Sequence, residues 1–200
     1  MKKTLIPLVF LIFALAPHLA KAMMASSFFI EPSVGYRNET IRLTDLSNQQ
    51  TQMKSALPVY GLKLGYRSAI GVDFNLAGEY SKGKLEIGSL AEKSDFAHQN
   101  ASVQLGVNAL GLLKIYLGYA FLNDFKIDDS TLLTGFKLNG PAYIAGLQLR
   151  LFPMLNLGLQ YNLNQFNKIS GSAYTLGEDT EKYFSKIDSQ DYSLYLSLAF

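Results

Sequence analysis

From residue 30 to the C-terminus, apolar side chains recur at alternate positions, the rhythm of strands with one face turned to an apolar surrounding. One run reads Ile30, Pro32, Val34, Tyr36 and the next Pro58, Tyr60, Leu62, Leu64, Tyr66. A third carries Ile70, Val72, Phe74, Leu76, Tyr80, a fourth Ala101, Val103, Leu105, Val107, Ala109, and a fifth Leu113, Ile115, Leu117, Tyr119, Phe121. Three more alternate over Tyr143–Leu151, Leu155–Leu163 and Tyr192–Phe200, giving eight predicted strands. The positions between are Gly, Asn, Gln and Ser with a few charges of both signs, and no charge enters the apolar set.

A soluble sandwich would also alternate, but it would spread lysine and glutamate along its exposed face. A crowded polar face of amides, glycines and opposed charges instead suits the lumen of a membrane barrel whose apolar face meets lipid. Past residue 23 no apolar run reaches the eighteen or so residues of a membrane-crossing helix. The connections agree with a barrel. Short turns fall at Arg67-Ser68, Leu110-Gly111-Leu112 and Phe152-Pro153-Met154, whereas the gaps near 38–56, 82–97, 123–140 and 164–190 are long and polar. Alternating turns and loops imply periplasmic turns, external loops and both termini in the periplasm. Outward Tyr36, Tyr60, Tyr80, Phe121, Tyr143, Tyr161 and Tyr192 gather at the loop ends of the strands, and Phe28, Tyr66, Phe152 and Phe200 at the turn ends. Rings at both interfaces form the aromatic girdles of such a barrel.

Composition sharpens this picture. At 48% hydrophobic and 17% charged residues, the chain requires a large buried or lipid-covered surface. Without cysteine it can form no disulfide, thiolate metal site or lipidated N-terminal cysteine. Lys2 and Lys3, an apolar stretch from Leu5 to Ala16 and the Ala20-Lys21-Ala22 triplet predict a signal peptide over 1–22, leaving 23–200 as the mature barrel. Cleavage removes Lys2, Lys3 and Lys21, so 18 basic residues become 15 against 16 acidic ones. No basic run remains to bind nucleic acid.

The ending Tyr192-Ser193-Leu194-Tyr195-Leu196-Ser197-Leu198-Ala199-Phe200 resembles the terminal strand of bacterial outer-membrane proteins. Through Tyr192, Leu194, Leu196, Leu198 and Phe200 the resemblance implies an assembly signal for the barrel-assembly machinery. The whole mature chain resembles the small eight-stranded OmpA/OmpX-type barrels. That implies an all-β, antiparallel up-and-down transmembrane barrel in a Gram-negative outer membrane, among lipid and lipopolysaccharide. The chain stops at its last strand, which predicts no peptidoglycan-binding domain.

An eight-stranded barrel is only wide enough for its own side chains. Inward Glu31, Asp73 and Glu79 are therefore expected to pair with inward Lys63, Lys114 and Arg150, because isolated buried charges are costly. His98 shares the inward parity of Ser102, and Glu79 and Ser81 share that of the neighbouring strand. Such a trio has the residue types of a lipid A acyl-chain enzyme, so a lipid-modifying enzyme is one alternative and a narrow gated pore another. No zinc spacing, calcium loop or phosphate loop is present, and neither a cofactor nor a metal is expected. The first expectation is a non-enzymatic structural or surface-interaction protein. Its long loops contain Ile41, Leu43, Leu46, Leu132, Leu133, Phe136, Leu138, Tyr183, Phe184 and Ile187. These apolar residues either extend strand pairs beyond the membrane or contact an external partner.

Overall fold

A computed structural model describes residues 26–87, 93–109, 111–129, 135–171 and 174–200. The expected leader, and Leu132 and Leu133 of the third loop, lie outside the described residues. The strands are β1 (Ser27–Asp45), β2 (Gln50–Arg67), β3 (Val72–Ile87), β4 (Lys93–Ala109), β5 (Leu113–Asp129), β6 (Lys137–Asn139), β7 (Ala142–Arg150), β8 (Leu155–Asn164), β9 (Lys168–Gly171), β10 (Tyr174–Asp179) and β11 (Phe184–Leu198). All pairings are antiparallel. β1 pairs with β2 and β11, and β5 with β4 and β7, which closes an eight-stranded wall. β6 and β9 prolong β7 and β8 above it.

The expected alternation holds through the lower barrel. Leu62, Phe74, Leu105, Leu147 and Leu159 face outward and are 45–58% exposed around the circumference. On a soluble protein so continuous an apolar surface would be untenable; here it is the lipid-facing belt. Each of the seven girdle aromatics, from Tyr36 to Tyr192, is at least 43% exposed. Phe28 and Tyr66 pack ring against ring at the turn end.

Two expectations are corrected. Ile70 belongs to a turn rather than to the third strand, which starts at Val72 after Gly71 adopts φ +81°. More importantly, all four of the long gaps are largely strand. β1 runs on to Asp45 and β2 begins at Gln50, while β3, β4 and β5 rise equally far. The physical cause is an inversion of polarity along continuous strands. Above the girdle the outward positions become polar, and the inward ones become Ile41, Leu43, Met53, Leu57, Leu85, Phe96, Phe125 and Ile127. Together with Phe136, Leu138, Phe166 and Ile169 they form one buried cluster, against which Tyr183, Phe184 and Ile187 pack. Of the apolar loop residues, Leu46 alone among those described is a largely exposed tip, at 64%. The wall thus behaves as a membrane barrel below and as a water-soluble barrel above.

Candidate functional site

The lumen is organised in layers. At the turn end, Asp73 receives Arg67 through two bonds of 2.9 and 3.1 Å, Lys114 at 2.9 Å and Asn108 at 2.8 Å. Glu31 accepts from Gln148 at 2.6 Å and from Ser197 at 2.8 Å. Arg150 lines the same mouth and is half-buried.

One layer higher, polar groups form a relay across the barrel. Lys63 donates to the Tyr195 hydroxyl at 3.0 Å, and the hydroxyls of Tyr195 and Tyr116 lie 2.9 Å apart. Tyr116 donates to Gln160 at 2.9 Å, and Gln160 donates onward to Glu79 at 2.7 Å. The Lys63 ammonium also lies over both rings, 4.5 and 4.8 Å from their centroids.

The upper polar layer centres on Arg37, which is fully buried. It pairs with Glu79 and brings Nε within 3.4 Å of Asp191 Oδ1. Asp191 also accepts from Asn162 at 2.7 Å and Asn164 at 3.0 Å. Beside it His98 is held between Glu39 and Asn123. The apolar cluster lies above, with the Phe125 ring edge-to-face and the Phe166 ring tilted against the imidazole.

All six charges expected in the lumen do face inward, but the pairing differs. Glu79 takes Arg37 rather than a lysine, and Lys63 bonds a tyrosine. Arg37, Glu39, Asp191 and Arg67 were missed, although Arg37 and Glu39 continue the inward parity of Glu31, Ser33 and Gly35, and Asp191 that of Ser193. Ser81 stands opposite His98 in the β3–β4 register, but no hydrogen bond joins the candidate catalytic trio. Both His98 nitrogens are engaged by Glu39 and Asn123, Glu79 is held by Arg37, Asn100 and Gln160, and the buried Ser81 hydroxyl has no hydrogen-bond partner. The strands carry on past His98 and bury it completely.

The outer wall above the girdle has a different character. Arg42, Lys54, Lys82 and Lys84 point outward and are exposed on β1, β2 and β3, with exposed Asp188, Glu86 and Asp95 opposite Arg42, Lys54 and Lys84 in the strand register. The β2–β3 ladder lapses between Ser55↔Leu85 and Val59↔Ser81, at Pro58, which has no amide hydrogen to donate. The lapse lies beneath a groove of about 590 Å³ lined in part by Asn38, Thr40, Lys54, Pro58 and Lys84. A second cleft of about 620 Å³ opens where β11 parts from β8 above Ser189.

No protein-family model and no curated protein sequence matches this chain. Solved structures do resemble it in fold. Ail, the attachment invasion locus protein of Yersinia pestis, solved with the heparin analogue sucrose octasulfate, superposes with a TM-score of 0.56 at 14% identity, over 87% of this chain and 99% of its own. AlkL in lipid bilayers gives 0.52 at 15% identity over 86% and 90%, and OprG of Pseudomonas aeruginosa gives 0.51 at 15% over 86% and 95%. The fold is therefore that of the small eight-stranded outer-membrane barrels. The apolar belt around the wall is what a lipid surrounding demands.

Proposed function

We propose that this is a non-enzymatic outer-membrane barrel that acts through the outside of its extended end, with anionic surface groups as partners. The termini lie in the periplasm and the extended end faces outward, because the short turns and the terminal assembly strand gather at the opposite rim. One observation carries the reading: the extension is filled by its own apolar core, so its binding capacity resides on the exterior wall. That wall carries Arg42, Lys54, Lys82 and Lys84 within a few residues of Tyr36, Tyr60 and Tyr80, the level of lipopolysaccharide phosphates. Exposed cations at an interface attract anionic headgroups by roughly 1 kcal/mol each, an attraction that Asp188, Glu86 and Asp95 opposite Arg42, Lys54 and Lys84 reduce. Ail was crystallised with a sulfated sugar; a shared fold transfers no ligand, but a basic wall above the girdle suits a polyanion on the same physical grounds.

The test is binding of the reconstituted full chain to lipopolysaccharide-bearing vesicles, against vesicles of neutral phospholipid. Binding should favour lipopolysaccharide, weaken with salt, and fall in a Lys54→Gln, Lys82→Gln, Lys84→Gln variant. Equal binding by that variant would remove the basic wall from the mechanism.

A further inference from the structure

The upper polar layer contains an arrangement that ion pairing alone leaves unresolved. Asn123 Nδ2 donates to Asn164 Oδ1 at 3.2 Å, so its carbonyl oxygen is the atom facing His98 Nε2 at 2.6 Å. Nε2 therefore carries a hydrogen. On the other side of the ring, Nδ1 meets both oxygens of Glu39, at 3.0 and 3.1 Å. A neutral imidazole would then press its Nδ1 lone pair against a carboxylate that can only accept. A positive centre between them is required, either a proton or a metal cation.

The cluster itself points to the metal. Glu39, His98 and Asp191 bring three fully buried ligand groups from β1, β4 and β11 to one place, around the single guanidinium of Arg37. The Ser81 hydroxyl, fully buried directly opposite His98 in the β3–β4 register, makes no hydrogen bond and is a further idle donor atom beside it.

We infer that Glu39, His98 Nδ1 and Asp191 form a binding site for one borderline divalent cation of the zinc class, with Asn123 as the outer partner of the histidine. The three ligand atoms lie within 4.8 Å of one another. Tetrahedral zinc with oxygen and nitrogen ligands needs separations of about 3.4 Å, so no edge need close by more than about 1.4 Å. One imidazole with two carboxylates is a donor set for zinc and its neighbours rather than for calcium or magnesium. A ligating histidine ordinarily donates its other N–H to a fixed acceptor, the role Asn123 already fills. Arg37 repels the ion, but its charge is spread between Glu79 and Asp191.

The full chain, unfolded with chelator and refolded in detergent with Zn²⁺, should retain one zinc per folded barrel after desalting, counted by elemental analysis. Folding is scored independently by heat-modifiable gel mobility. His98→Gln and Glu39→Gln should lose the zinc, whereas Glu31→Gln, which removes a buried carboxylate from the lower layer, should keep it. Asn123→Ala leaves every ligand in place and should weaken retention ten- to hundredfold; it decides the matter if His98→Gln does not fold. Folded wild type without zinc, or zinc retention untouched by both His98→Gln and Asn123→Ala, would overturn the site and leave His98 as an imidazolium.

Discussion

Tyr116 and Tyr195, on opposite sides of the lumen, meet hydroxyl to hydroxyl at 2.9 Å, and each ring lies across a glycine of the adjoining strand. Tyr116 covers Gly146 and Tyr195 covers Gly158, where an added Cβ would land within the ring. Glycine is what lets the two rings lie flat enough to bridge the barrel. Tyr195→Phe keeps the ring and removes the acceptor of the Lys63 ammonium. A cost of about 1–3 kcal/mol is expected from the unsatisfied buried donor, measured by urea unfolding in lipid vesicles.

Arg37 should be the most sensitive charge in the molecule. Replacing it with methionine leaves Glu79 and Asp191 buried without their cation, and breaking such a pair from one side costs about 3–5 kcal/mol. The same unfolding assay applies, and a loss below about 1 kcal/mol would mean that water or protons already balance these carboxylates.

The assignment of faces can be tested on β4. Leu105 points to lipid at mid-strand and is 49% exposed, so Leu105→Arg should cost about 2–4 kcal/mol near the bilayer midplane. Thr40→Arg, outward on β1 but above the girdle, should cost almost nothing. A one-residue slip would bring Leu105 into the lumen and remove the depth dependence.

The turn between β1 and β2 supplies a pH-dependent signal. Asp45 accepts from the Ser47 hydroxyl and from the amides of Ser47 and Gln49, and these bonds hold its carboxyl below the ordinary aspartate range. A depressed folded value stabilises the turn at neutral pH, and that contribution disappears as pH falls through it, below about 4. The protection factors of the Ser47 and Gln49 amides against hydrogen exchange should therefore fall in acid, and Asp45→Asn should lessen the change.

The membrane part of this fold is legible in the sequence because lipid makes one rule hold all round, apolar outward and polar inward. The extension was harder to read for a specific reason. Between Tyr36 and Ile41 on β1 the apolar residues change from even to odd positions, so a continuous strand looks like a strand followed by a loop with stray hydrophobics. β5 adds a bulge beside Ala120 and Leu122, which shifts its faces by one residue. Following the inward parity of Glu31 through the phase change would have found Arg37 and Glu39. The grouping of Glu39, His98 and Asp191 has no spacing signature, since the three come from β1, β4 and β11 and meet only through closure of the barrel.

Whether function lies outside the barrel or through it rests on the sealed lumen, and conductance of the purified chain in planar bilayers examines that most directly. Charge-paired layers, the tyrosine bridge and the apolar core above them should together give a flat baseline across applied voltage, with Tyr195→Phe still closed. A steady, reproducible open level in the wild-type protein would contradict the sealed barrel and turn the interpretation toward a pore.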